Sequence, residues 1–180
     1  MPVLVEPTIE LRDSYLDAWA EFAAEGRGTP DDHSALGFEA GRFAERWNSV
    51  EGFSDFVDYL IASGDPEVPP ADGWVKQTTF WFVDGDRYLG SIRVRHSLNE
   101  MLLEEGGHIG YDVRPTARRR GYATQMLAGV LPFAHSLAIS SALVTCDTEN
   151  VASRRVIERC GGQYEDTRNG KMRFWVTTAA

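Results

Sequence analysis

The chain has 180 residues, 43% of them apolar and 25% charged, which is enough for a full core in one domain and too apolar for a disordered chain. No apolar run approaches the roughly 18 residues that a membrane span needs. Met1-Pro-Val-Leu-Val-Glu6 lacks the basic start and long apolar stretch of a secretion signal, so a cytoplasmic protein is expected.

The net charge of −9 is uneven: residues 1–70 carry 15 acidic against 4 basic side chains, and residues 71–180 carry 12 against 14. A neutral-to-basic half suits a phosphorylated cofactor, and an acidic half suits a cationic substrate or serves solubility. Nucleic acid, which needs a wider basic face, is disfavoured. Cys146 and Cys160 match no metal spacing, so two free thiols and no metal are expected.

In chain order, Val3 to Val5 reads as a short strand ended by Pro7. Thr8 suits an N-cap, and Leu11, Tyr15, Trp19 and Phe22 recur at helical spacing until Gly26 to Pro30 breaks the pattern. A second helical zone runs from about Phe38 through Phe43 and Trp47. A third places Phe53, Phe56, Val57, Leu60 and Ile61 on one face. Residues 64–73, with three prolines, read as a loop.

Thr78 to Val83 and Tyr88 to Arg95 read as a hairpin turning at Asp84-Gly85-Asp86, with Ile92 and Val94 on a buried face and Arg93 and Arg95 on a wet one. Ser97 to Glu105 suits a short helix broken by Gly106-Gly107, and His108 to Val113 a strand. Ala123 to Ala134 has the period of a helix covering a sheet, with Pro132 expected to kink or shorten it. Ala142 to Cys146 is a buried-type strand, Asn150 to Cys160 a helix, and Gln163 to Glu165 and Met172 to Val176 closing strands.

The chemistry concentrates where the strand ending at Val113 meets the helix that follows. In Arg114-Pro-Thr-Ala-Arg-Arg-Arg-Gly-Tyr-Ala-Thr124, Gly121 and small Ala123 permit close backbone approach, and the first N–H groups of the helix have no intrahelical acceptor. Arg118, Arg119 and Arg120 add positive charge at the end where the helix dipole favours an anion, so a pyrophosphate suits the loop. It is neither a G-x-x-x-x-G-K-[ST] loop nor a three-glycine dinucleotide fingerprint.

The spacing Arg118-x-x-Gly121-x-Ala123 resembles the pyrophosphate signature of the GCN5-related N-acetyltransferase (GNAT) family. Asn150-Val-Ala-Ser153, opening a helix that ends in Gly161-Gly162, is similar to the segment that contacts coenzyme A in that family. The wider string Gly107-His-Ile-Gly-Tyr111 with Arg114-Pro looks like its predicted-acetyltransferase branch. The resemblance covers about residues 75–177 and implies an α/β fold of GNAT type. That fold is a mixed, mostly antiparallel, splayed sheet with helices on both faces, here a single domain over residues 1–180. Residues 1–74 would form the helical acceptor side and residues 75–177 the cofactor-binding core.

The resemblance further implies acetyl-CoA as cofactor, held by Tyr111, Val113, Arg118, Arg119, Arg120, Gly121, Tyr122, Ala123, Thr124, Asn150 and Ser153. The backbone N–H of Tyr111 would meet the acetyl oxygen as an oxyanion donor. Activity would be acetyl transfer to a primary amine of a small molecule or peptide, cationic before reaction, with no nucleic-acid or membrane partner and a homodimer open to it. The family's tyrosine acid falls at Ile157 and its glutamate base at Gly107, so neither role carries over, and a non-catalytic acyl-CoA sensor or structural domain is the rival reading. Glu105 and His108 are the nearest base candidates; His96, Glu104, Asp112 and Tyr164 are further titratable neighbours. Cys146 reads as a core thiol.

Overall fold

The computed structural model describes residues 1–29 and 31–179. Its strands are Val3–Val5 (β1), Gln77–Asp84 (β2), Arg87–Arg95 (β3), Ile109–Val113 (β4), Ser141–Asp147 (β5), Gln163–Arg168 (β6) and Lys171–Thr177 (β7). Its helices are Arg12–Ala24 (α1), Ala35–Phe43 (α2), Val50–Ala62 (α3), Tyr122–Ser136 (α4) and Val151–Arg159 (α5). The strands form one sheet in the order β1-β2-β3-β4-β5-β7-β6, antiparallel except where β4 meets β5. That parallel step needs a crossover, and α4 supplies it. Among the described residues no helix is long and apolar enough to cross a membrane.

Because side chains alternate across a strand, β2 and β3 feed two cores. On one face Phe82, Ile92, Ile109, Val144 and Phe174 pack with Met126, Leu127 and Val130 of α4 and with Ile157 of α5. On the other, Trp81, Val83 and Tyr88 pack with the aromatic stripes of α1, α2 and α3. Tyr15 is the hub of this second core, its ring centroid lying 5.0 to 5.5 Å from those of Trp47, Phe53, Phe56, Trp81 and Tyr88. The stripes are core apart from Phe38 and Ile61, which are exposed, and the helices lie on both faces as expected.

Several local expectations shift. Thr8 caps a 3-10 turn (Ile9–Leu11) before α1 begins at Arg12. The second helix starts earlier, at Ala35, because the Ser34 hydroxyl accepts the Gly37 N–H at 3.2 Å, and it ends at Phe43 before Trp47. Of the breaker Gly26 to Pro30, Pro30 lies outside the described residues. The short helix ending at Glu105 is instead a π-type turn over Leu102–Gly106. Pro132 does not shorten α4, which runs on to Ser136.

The largest departure is Arg93. It points from β3 to the face expected to be wet, yet it is 2% exposed, because α2 covers it and supplies Glu39, itself 3% exposed. The Arg93 Nη2 lies 2.8 Å from both Glu39 carboxylate oxygens and its Nε 2.9 Å from one of them. Burial raises the Glu39 pKa and the guanidinium pulls it back. Burial works against the Arg93 cation too, but Glu39 and Asp112 outweigh it and hold the guanidinium charged, so the pair is ionic.

Glu39→Ala is therefore expected to strand a buried cation and cost about 3–5 kcal/mol. The double variant Glu39→Ala/Arg93→Met, which removes both charges, is expected to be the more stable of the two. Denaturant midpoints of the two variants check this, and a double variant no more stable than the single one contradicts it.

Candidate active site

The site begins with a hydrogen-bond ladder that stops. Strand β4 pairs with β3 from Ile109 to Val113, but with β5 it registers at Ile109↔Val144 alone. The bonds flanking the β3–β4 ladder run from Arg95 N–H to His108 O, 2.8 Å, and from Arg114 N–H to Leu89 O, 2.8 Å. By antiparallel alternation the peptide groups of Gly110 and Asp112 face β3, and those of Tyr111 and Val113 face the gap toward β5. Close β3–β4 approach has its own requirement: a Cβ on Gly90 would sit 2.4 Å from the Asp112 carbonyl oxygen.

At the far end of β4 the chain makes the arginine loop. Gly121 is the N-cap of α4 in the left-handed region, φ 79°, where glycine is favoured. A Cβ there would meet nothing within 4 Å, so the angle rather than crowding demands glycine. The first bond into the helix runs from Gln125 N–H to Gly121 O, 3.1 Å, and among the described residues no acceptor meets the N–H groups of Tyr122, Ala123 and Thr124. Arg119 and Arg120 are exposed and, among those residues, unpaired.

Arg118 is different. Its guanidinium forms a two-pronged pair with Glu25 of α1, 2.8 and 2.7 Å, and its Nε donates to Val113 O at 3.2 Å. Arg114 donates to Glu21 at 2.7 Å, and the Thr116 N–H donates to the same carboxylate at 3.0 Å. Burial opposes ionisation of Glu21, but these donors prevail and its pKa is lowered. The loop is thus clamped to α1.

A cleft of about 850 Å³ opens beside the gap, lined among others by Tyr111, Cys146, Asn150, Ser153, Glu39, Arg93 and Glu105. Asn150 caps α5, its Oδ1 accepting the Ser153 N–H at 3.0 Å. The hydroxyls of Ser153 and Tyr111 lie 2.6 Å apart. Val113, His108 and the loop residues Arg118 to Thr124 are outside this cleft lining.

A family model described as acetyltransferase (GNAT) domain matches residues 29–163, three quarters of the chain. The chain belongs to the GNAT acetyltransferase family. Members are acetyl-CoA-dependent N-acetyltransferases, so it is an acyltransferase by class. No curated protein matches it. Its fold is similar to Mycobacterium smegmatis RimJ in complex with CoA-disulfide, at 17% identity, covering 98% of this chain and 81% of that one with a TM-score of 0.63. It is similar also to a Salmonella typhimurium acetyl transferase that modifies the N-terminal serine of ribosomal protein L7/L12 (14% identity, 98% and 94% covered, TM-score 0.60). A third likeness is to the Thermoplasma acidophilum PaiA N-acetyltransferase in complex with coenzyme A (9% identity, 98% and 99% covered, TM-score 0.57). Identities this low show the fold.

Within this GNAT fold the structure sorts the titratable neighbours. His96 Nε2 is hydrogen-bonded to Thr78 Oγ1 at 2.9 Å, Glu104 pairs with Arg168 at 2.6 Å, and Tyr164 is exposed with its hydroxyl 2.9 Å from that of Thr167. Asp112 pairs with Arg27 at 3.0 Å and with Arg93 at 3.4 Å. His108 is 8% exposed, and its Nδ1 accepts the Leu143 N–H at 2.9 Å. A neutral imidazole has one acceptor nitrogen, and this bond uses it. Burial, then nearby Arg95, lowers the His108 pKa. Glu105 lines the cleft and, among the described residues, has no ion-pair partner. Cys146 belongs to the core, and burial raises its pKa, as a core thiol should.

The loss of the family's glutamate position has a steric cause. Gly107 has φ 64°, and a Cβ there would lie 2.6 Å from the Leu143 carbonyl oxygen, so no side chain fits. Gly107→Ala is expected to cost at least about 1–3 kcal/mol and to loosen the single β4–β5 contact. A melting temperature unchanged from the parent protein contradicts this.

Proposed function

We propose that the chain moves the acetyl group of acetyl-CoA onto a primary amine of a small molecule or a peptide. The observation that carries the reading is the gap where β4 leaves β5, with Tyr111 lining the cleft at one end and the free N–H groups at the start of α4 following β4 at the other. An extended amide-bearing arm suits unpaired strand groups, and a pyrophosphate suits a left-handed glycine, helix N–H groups and the unpaired Arg119 and Arg120. Arg118, held by Glu25, shapes the loop rather than lending its charge, and Val113 contributes backbone alone.

When bound, acetyl-CoA supplies the acetyl group as a thioester. The Tyr111 N–H donates toward the acetyl oxygen as negative charge grows there. Glu105 takes a proton from the incoming ammonium, which makes the acceptor cationic on approach. The Tyr111 hydroxyl, hydrogen-bonded to Ser153 and kept protonated by burial, can hydrogen-bond the departing sulfur and relay to it the second proton that the amine nitrogen sheds as the amide forms, so that it ends protonated again. It takes the place of the acid that Ile157 cannot provide. Asn150 steadies the first turn of α5 and leaves its amide N–H groups for the arm.

Two measurements test this. Gly121→Ala adds strain alone, while Gly121→Glu adds strain and a negative charge at the helix start. Calorimetry with coenzyme A is expected to show the Glu variant binding at least about tenfold more weakly than the Ala variant, with both folded. Equal affinities remove the pyrophosphate assignment. Thiol release from acetyl-CoA with a panel of amines is expected to fall about 100-fold in Glu105→Gln, with coenzyme A affinity unchanged and the deficit shrinking as pH rises and more acceptor is uncharged. Absence of acetyl transfer in the parent protein, alongside coenzyme A binding, favours the sensor reading.

A further inference from the structure

The charges that face the cleft are engaged in ion pairs, three cations against four carboxylates, with two exceptions. Asp32 and Asp112 share Arg27, Glu39 and Asp112 share Arg93, and Asp147 pairs with Lys171 at 2.6 Å. Arg95 and Glu105 remain, and among the described residues neither has an ion-pair partner. Both line the cleft.

Arg95 is the unusual one. It ends β3, two residues beyond Arg93 and on the same face, but α2 brings it no carboxylate. Its Nη1 donates to two carbonyl oxygens of the π-type turn, Gly106 at 2.9 Å and Gly107 at 3.1 Å. Carbonyls hold a guanidinium in place without neutralising it. Burial, then the charge of Arg93, lowers its pKa to about 10, so the folded protein opposes this cation. An anion from outside would relieve that cost and suit the fork of a guanidinium.

Its position says where such an anion would lie. A Cβ on Gly110 would be 3.9 Å from both Arg95 Nη1 and Nη2 and would meet nothing nearer, so the guanidinium lies against the residue preceding Tyr111. Glu105 precedes Gly106, whose carbonyl anchors Arg95. The Arg95 guanidinium is thus anchored on the turn at the two residues that follow Glu105, and both side chains line the cleft.

We infer that the acceptor is a zwitterion, an amine carrying a carboxylate a few bonds away, whose carboxylate is held by Arg95 while Glu105 receives its ammonium. The inference rests on the acetyl-transfer reading above and names the substrate class of that site. It makes Arg95 a substrate-binding residue and narrows the acidic half's role: most of its cleft-facing carboxylates are spent on arginines, so attraction of a bare cation is weak.

The test is thiol release at saturating acetyl-CoA with matched pairs, a set of α-amino acids and the same compounds as carboxamides, in the parent protein and in Arg95→Gln and Arg95→Lys. The parent protein is expected to prefer the carboxylate member of a pair by about tenfold or more in kcat/KM, the size of a charged hydrogen bond. Arg95→Gln is expected to bring the ratio of carboxylate to carboxamide kcat/KM to about one, whatever its absolute rates, with coenzyme A still bound. Arg95→Lys, which keeps the charge without the fork, is expected to retain part of it. Equal use of both members by the parent protein, a preference that survives Arg95→Gln, or turnover of amines without a carboxylate alone overturns the inference and leaves acetyl transfer standing. Failure to turn over either series while coenzyme A still binds also overturns it. Failure to bind coenzyme A instead defeats the reading on which it rests.

Discussion

Strand pairing extends from β1 to β4 and again from β5 through β7 to β6, with one register shift in each block, but between those two blocks it holds only around Ile109 and Val144. Everything at the site follows from that arrest. A strand buried in a sheet normally satisfies its peptide groups with its neighbours, and leaving them unmade is expensive. Tyr111 carries such groups into a gap that opens on the cleft, while the Val113 carbonyl is met by the Arg118 Nε–H at 3.2 Å. Gly107 sets the point of divergence, since its left-handed backbone bears directly on the Leu143 carbonyl and leaves no room for a side chain.

A splayed pair of strands needs support from outside the sheet, and the first third of the molecule gives it through charge. Glu21 and Glu25 on α1 hold Arg114, Thr116 and Arg118, fixing the loop that follows β4. Glu39 on α2 holds Arg93 below the cleft, and Arg27 reaches Asp112 of β4. Three glutamates of the acidic first part are therefore counter-ions to three arginines of the second, and Arg27 to Asp112 runs the other way. Their pairing is largely buried or half-buried, where ionic geometry fixes position more than it adds stability.

Much of this was legible in the sequence, and the division between what was and what was not is physical. The order of elements, the aromatic stripes and the Arg118-x-x-Gly121-x-Ala123 loop are local patterns, set by helical and strand period and by the angles that glycine permits. The burial of Arg93 is not local: alternation along β3 put it on the right face, but Glu39 lies 54 positions away in sequence and only the fold brings it over. For the same reason the Arg118 pair was not legible, since its partner Glu25 is 93 positions distant. His108 was closest in sequence to the chemistry, yet its ring faces the Leu143 N–H, whereas Glu105, on a turn whose π geometry has no periodic signature, lines the cleft. The hydroxyl pair of Tyr111 and Ser153 could have been suspected from two polar residues both assigned to the cofactor.

The most direct measurement follows backbone amides as acetyl-CoA is added to the 15N-labelled protein. The account predicts that the N–H resonances of Tyr111, Ala123 and Thr124 shift together along one binding isotherm, while those of Gly110 and Asp112, bonded to β3, move far less. Binding that shifts Gly110 and Asp112 as strongly as Tyr111, or that leaves the start of α4 untouched, would contradict the placement of the cofactor between β4 and β5.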